Sequence, residues 1–83
     1  MKLLATPAFL DEATRHAFIH TPLCAKLLPG PEPSWIVGDP TIKAEVKEDQ
    51  GRTLRVPAPF PFYIIRDDHG EGPVITALLK EEY

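Results

Sequence analysis

Proline placement constrains this chain more than any other feature of its sequence. Ten prolines are distributed along 83 residues, and seven of them lie between Pro29 and Pro61. Proline lacks a backbone N–H and disfavours helix at the residue before it, so helical structure is expected before Pro29. The remainder of the chain is expected to form strands, turns and extended connections.

The first third of the chain carries two helix-start signals. Thr6-Pro7 and Thr21-Pro22 each place a capping hydroxyl before a proline at the first helical position. Apolar residues follow at helical spacing, which predicts helical structure over residues 6–28 as one or two short helices. The first helix is expected to reach its last turn at His20, and Pro29–Pro31 to end the second.

Two later segments of the chain are similar in sequence. Ten of 21 aligned positions are identical between residues 29–49 and 57–82 when residues 68–72 are treated as an insertion. We therefore predict two similar β-hairpins, unit one over residues 29–50 and unit two over residues 57–83. The alternative is that two unrelated strands each needed a proline-rich entry.

The predicted fold class is α+β, with all 83 residues in a single domain. The helical segment would be followed by an antiparallel sheet of about four strands, or by a small barrel if that sheet closes. The predicted strands lie at residues 35–37 and 41–47 in unit one, at 53–56, and at 60–66 and 74–80 in unit two, whose loop spans residues 67–72.

Three prolines alternate with other residues at positions 57, 59 and 61. In an extended chain their missing N–H groups share one edge, which predicts an edge strand protected against aggregation. The alternative is a polyproline segment that binds a partner's groove, but the Pro-x-x-Pro spacing of such ligands is absent.

Few residues indicate chemistry. Glu12, His16 and His20 would share one stripe of a continuous helix, which makes them metal candidates, although a solvated helix face explains the same pattern. Cys24 lies among leucines and is typical of a buried apolar residue rather than a nucleophile. The acidic segment 67–71 lacks calcium-loop spacing and is expected to be a hairpin turn. No catalytic residue, resident metal or cofactor is predicted.

Composition limits the remaining classes of function. The net charge of −3 disfavours nucleic acid as a partner, and acidic neighbours flank Arg52 and Arg55. No apolar run approaches the ~18 residues of a membrane span, so a cytoplasmic or virion-associated protein is expected. The absence of Asn and the abundance of proline are typical of thermophilic proteins, although a GC-rich genome would also enrich proline.

The two hairpins differ in the polarity of their faces. Residues 41–47 alternate between apolar and polar, whereas unit two is apolar on both faces. A short helix can cover only one of those faces, so we predict an interface at Tyr63, Ile65, Val74 and Leu78, in a homodimer or against a larger partner. In the alternative, three leucines of the helical segment (Leu23, Leu27 and Leu28) cover this face.

These patterns predict a small non-enzymatic protein-binding module. It could serve as an accessory or assembly subunit, as an inhibitor, or as a phage-type structural protein. The first alternative is a nucleic-acid-associated small β-barrel, which would display Trp35, Phe60 and Tyr63 beside a basic stripe. The second is a small metal-dependent enzyme that uses His16 and His20.

Overall fold

A computed structural model describes residues 2–28 and 32–83 of the chain, with residue 69 described by its backbone alone. The described chain forms two helices and six strands: β1 Lys2–Ala5, α1 Pro7–Arg15, α2 Thr21–Leu27, β2 Trp35–Asp39, β3 Val46–Glu48, β4 Thr53–Pro57, β5 Phe62–His69 and β6 Gly72–Leu79. Short 3-10 turns follow β3 and β6, at Asp49–Gly51 and Lys80–Glu82.

The six strands form one mixed sheet in the order β1-β6-β5-β2-β4-β3. β1 runs parallel to β6 and β2 runs parallel to β4, while the other neighbours are antiparallel. The α+β class is confirmed. The sheet is larger than the predicted four strands and is not purely antiparallel, and it stays open because β1 and β3 lie at opposite edges.

Unit two forms the predicted hairpin, with longer strands than expected. β5 and β6 are paired along their whole length, from Phe62 opposite Leu79 to residue 69 opposite residue 72. Only residues 70 and 71 therefore form the turn. The predicted loop over residues 67–72 is therefore mostly strand. The backbone ladder runs through the acidic residues Asp67 and Asp68, which lie opposite Val74 and Pro73.

Unit one is not a hairpin, because β4 lies between β2 and β3. The Asp39 carboxylate accepts hydrogen bonds from the backbone N–H and the hydroxyl of Thr41, at 2.8 and 2.6 Å, which turns the chain out of the sheet. Of the predicted strand 41–47, only Val46 and Lys47 lie in β3. The prediction of two equivalent hairpins is therefore wrong: the alternation in residues 41–47 faces solvent, whereas β2 is covered on both edges by more apolar strands.

The proline run also departs from the prediction of an edge strand. Pro57 ends β4, which is paired on both sides, and residues 58–61 form the connection from β4 to β5. This connection passes the end of β2, because β2 lies between β4 and β5 in the sheet. Pro59 and Pro61 have no N–H to continue a ladder, so the chain leaves the sheet at this point.

Helix α1 begins as predicted and ends early. The Thr6 hydroxyl accepts a hydrogen bond from the Phe9 N–H at 3.2 Å. At the other end, Ala17 adopts a left-handed conformation with φ of 51°. The N–H groups of Ala17 and Phe18 then donate to Thr14 and Ala13, the two bonds of a Schellman ending. The helix therefore stops at Arg15 and does not reach His20.

Helix α2 begins one residue earlier than predicted, at Thr21: His20 is its N-cap and no side-chain hydrogen bond caps the helix, so the predicted Thr21 cap is wrong. The expected stop at Pro29–Pro31 lies outside the described residues. The C-terminal end of the helix is held by Arg66, whose guanidinium Nη1 donates to the Leu27 carbonyl at 2.5 Å. Arg66 is buried, and its cation lies at the negative end of the helix dipole.

The core lies between the two helices and one face of the sheet. Its largest fully buried side chains come from both layers: Phe9, Leu27, Ile36, Phe62, Ile64 and Ile75. Phe60, from the connection before β5, packs against Phe9 and Phe18. Both helices therefore pack on one side of the sheet.

Candidate interaction face of the sheet

The opposite side of the sheet, which we call the open face, carries a second apolar surface. Strand alternation and the pairing register place side chains from five strands on it, including Leu4, Trp35, Val37, Val46, Tyr63, Ile65, Val74, Thr76 and Leu78. The sixth strand, β4, contributes the polar residues Thr53 and Arg55 to the same face. Both helices pack on the other side. In the part of the chain that the structure describes, no helix covers the open face.

All four residues of the predicted interface lie on the open face. Leu78 pairs across the strands with Tyr63, and Val74 and Ile65 lie further along the same two strands. Each of the four is half-buried, because neighbouring side chains on the sheet shield one another. The predicted residues therefore form one continuous surface.

The helical leucines do not cover this face. Leu27 is fully buried in the core on the opposite side of the sheet, and Leu23 packs against that core. Leu28 remains exposed. The alternative in which these leucines fold over Tyr63 and Leu78 is therefore not the arrangement of this chain.

Three aromatic rings form a cluster on the open face. Trp35 and Tyr63 meet edge-to-face with ring centroids 5.8 Å apart, and Tyr83 contacts both at 5.3 and 5.5 Å. The 3-10 turn after β6 brings Tyr83 to the sheet; there the Glu82 carboxylate accepts a hydrogen bond from the Leu79 N–H at 2.9 Å. Tyr83 is 72% exposed.

A groove of about 440 Å³ lies beside this aromatic cluster. Val37 and Thr53 contribute to it from the sheet, while Arg52 and Asp49 contribute polar groups. Among the described residues, no hydrogen bond occupies the Trp35 indole N–H or the Tyr63 and Tyr83 hydroxyls. The groove thus combines apolar rings with polar atoms that are available to a ligand.

Sequence reasoning did not assign Val37 or Tyr83 to this face. The alternation of Trp35 and Val37 with buried Ile36 was a usable signal, because it continues the same face from β5. Tyr83 carried no comparable signal, since its position depends on the turn that follows β6.

Charges near β3 and β4 cancel locally. Arg55 lies between Asp39 and Glu48, with N–O distances of 2.6 and 3.2 Å. Hydrogen bonds from the Thr41 hydroxyl and N–H, with a smaller effect of the Arg55 cation, lower the pKa of Asp39. The Arg52 Nε atom lies 4.0 Å from the Glu32 Oε1 atom. The arginines in this region are accompanied by carboxylates and do not form a basic stripe.

The arrangement expected of a nucleic-acid interface is not formed. Trp35 and Tyr63 share the open face, but Phe60 is only 5% exposed and lies on the other side of the sheet, where its ring stacks on His16. The neutralised arginines leave little attraction for a phosphate backbone. The open sheet also differs from the barrel of this alternative.

The predicted metal stripe is broken by the end of α1. His16 is the C-cap residue of that helix, and its Nε2 atom lies 3.4 Å from the Glu12 Oε2 atom. His20 instead precedes α2, and its ring meets the Phe9 ring edge-to-face with centroids 5.0 Å apart. Burial lowers the pKa of His20. No group of three or more metal-ligating side chains occurs among the described residues.

Cys24 has the environment predicted for an apolar core residue. It is buried in the cluster between the helices and the sheet. Burial raises the pKa of its thiol, which opposes formation of the thiolate that a nucleophile requires.

Comparison with known proteins found no family model, no curated protein and no solved structure that matches this chain. Within residues 2–28 and 32–83, neither helix is long and apolar enough to cross a membrane.

Proposed function

We propose that this protein is a small non-enzymatic binding module that docks another protein on its open face. The observation that supports the proposal is the apolar side of the sheet, which neither helix covers although an apolar core already occupies the other side. Contiguous apolar surface of this kind is characteristic of interaction sites.

The size of the open face suits a specific but modest interface. Six strands spaced about 4.8 Å apart make it about 29 Å wide, and strands of about five residues make it about 17 Å long. A partner that covers this area would bury about 500 Å² on each side, close to the lower size of specific interfaces. We therefore expect a reversible complex.

The aromatic cluster is expected to contribute most of the binding energy. Trp, Tyr and Arg are enriched among residues that dominate interface energetics, and Trp35, Tyr63, Tyr83 and Arg52 lie together around one groove. A partner that inserts an apolar side chain there can also accept hydrogen bonds from the free ring N–H and hydroxyls. An accessory subunit, an inhibitor and a structural protein would each use such a face.

The proposal is tested with a matched pair of charge variants. Leu78→Glu places a carboxylate in the open face, and Lys43→Glu places one on an exposed loop residue outside the six strands. Partners captured by the tagged parent from its source are purified and titrated against both variants by calorimetry. We expect Leu78→Glu to weaken binding at least ten-fold and Lys43→Glu to leave it unchanged.

Sedimentation of the isolated chain shows whether the open face binds a second copy of the chain or a different protein. A parent that dimerises, and whose dimer Leu78→Glu abolishes, would identify a second copy as the partner on this face. The proposal is wrong if captured partners bind the parent and Leu78→Glu equally, or if the parent is monomeric and no captured protein binds it at micromolar concentration.

A further inference from the structure

The two edges of the sheet differ in how they are protected against further pairing. At one edge, β3 has only three residues, Val46–Glu48, of which two are charged. At the other edge, β1 presents Leu3 and Leu4, which are 48% and 44% exposed. Short length and charge are the usual means of blocking an edge strand. Both edge strands are short, but β1 carries only one charged residue, Lys2, and exposes two leucines.

The outer side of β1 carries backbone groups that can form a ladder. The Thr6 N–H donates to the Ala77 carbonyl on β6 at 3.0 Å. Since hydrogen-bonding direction alternates along a strand, Leu4 also bonds to β6, and Leu3 and Ala5 direct their N–H and C=O groups away from it. In the described chain, β6 is the only strand paired with β1, so these four groups are available.

We propose that β1 pairs antiparallel with β1 of a second copy, about a two-fold axis, so that the two sheets become one. One register uses all four outward groups: Leu3 lies opposite Ala5 of the second copy, and Ala5 opposite Leu3. These two pairs form four hydrogen bonds. Leu4 then lies opposite Leu4 of the second copy at the axis, on the open face.

The same register brings opposite charges together. It places Lys2 opposite Thr6 of the second copy, and the Thr6 hydroxyl donates to the Glu82 carboxylate at 2.6 Å. The Lys2 ammonium therefore approaches an acidic group of the other chain, and symmetry forms this ion pair twice. Hydrogen bonds from the Thr6 hydroxyl and the Leu79 N–H lower the pKa of Glu82.

This dimer is independent of the partner proposed for the open face. It uses the outer edge of β1, and it joins two open faces into one continuous surface without covering either. The contact is small, with four hydrogen bonds and the exposed leucines, so the dimer is expected to be weak and reversible and to be populated at millimolar concentration.

Sedimentation equilibrium over a concentration series tests the dimer in the full chain. Ala5→Pro removes an outward N–H from each copy, and hence two of the four hydrogen bonds, without removing a bond to β6. Lys2→Glu reverses the ion pair, and Lys43→Glu is its control, because it changes net charge equally at a distant exposed site. We expect Ala5→Pro and Lys2→Glu each to weaken dimerisation at least ten-fold, with unchanged circular dichroism, and Lys43→Glu to leave it unchanged.

A pair of cysteine variants tests the register directly. In Leu4→Cys the two new residues face each other across the axis, with Cα atoms about 4.5 Å apart, within disulfide reach. In Leu3→Cys they are about 8.5 Å apart, beyond that reach. Mild oxidation should give a disulfide-linked dimer of Leu4→Cys only, and the parent, whose Cys24 is buried, should give none.

Three results would overturn the proposal: a parent that stays monomeric at millimolar concentration, a dimer that Ala5→Pro does not weaken, or cross-linking of Leu3→Cys equal to that of Leu4→Cys. A dimer lost only in Leu78→Glu would instead locate the contact on the open face.

Discussion

The Phe62 ring lies directly over the α-carbon of Gly38. The two residues are opposite each other in the β2–β5 ladder, and both are buried. A Cβ added to Gly38 would overlap ring atoms of Phe62, well inside van der Waals contact. The absence of a side chain at position 38 is therefore what allows Phe62 to fill the core above β2.

We expect Gly38→Ala to lower the free energy of unfolding by about 1–3 kcal/mol, because the added methyl overpacks the core. Urea denaturation measures the change. Gly70→Ala is the matched control and should be nearly neutral, since no heavy atom lies within 4 Å of its added Cβ. The double variant Gly38→Ala, Phe62→Leu should lose less free energy of unfolding than the sum of the losses in the two single variants, because the smaller leucine makes room for the methyl group. A double-variant loss equal to that sum would contradict this explanation.

Arg66 is expected to stabilise the end of α2. Its side chain is 5% exposed and donates to the Leu27 carbonyl. Arg66→Met removes this charge-assisted hydrogen bond. It should lower the free energy of unfolding, measured by chemical denaturation, by about 1–3 kcal/mol. Arg15→Met, on a side chain that is 70% exposed, should change stability by less than about 0.5 kcal/mol. Greater stability of Arg66→Met would mean that the cost of burying the cation exceeds its benefit.

Ala17→Gly is expected to stabilise the protein. Ala17 holds the left-handed position of the Schellman ending, with φ of 51°, where a Cβ is unfavourable and glycine is preferred. The thermal and urea midpoints should rise, and the free energy of unfolding should increase by about 0.5–1 kcal/mol. The same substitution at exposed Ala25 within α2 should instead cost about 1 kcal/mol. Loss of stability in Ala17→Gly would exclude a gain from relieved backbone strain.

His20 should make stability depend on pH. Burial lowers the pKa of His20 below the usual 6.5, so the unfolded chain takes up a proton at a higher pH than the folded chain. Stability should therefore be unaffected by this group near pH 8 and should fall as the pH decreases below about 6.5. Urea midpoints measured from pH 8 to pH 5.5 should show a smaller decrease in His20→Gln than in the parent. Equal decreases would assign the pH dependence to other groups.

Local signals in the sequence predicted much of the secondary structure. Thr6-Pro7 marks the start of α1, and the apolar segments within residues 60–66 and 74–80 predict the hairpin and its two apolar faces. Sequence reasoning extended α1 too far because Ala17 occupies a position that glycine usually marks. It missed β1 because four residues are too few for a periodic signal.

The amino-acid sequence by itself determined the start of α1, the β5–β6 hairpin and the apolar character of Tyr63, Ile65, Val74 and Leu78. These features depend on periodicity, capping and turn geometry within a few residues. Only the tertiary structure decided that β1 pairs with β6, that β4 lies between β2 and β3, and that Tyr83 joins Trp35 on the open face. Such pairings join residues far apart in sequence, and they follow from burial of the whole sheet against the helices, a balance that no local pattern records.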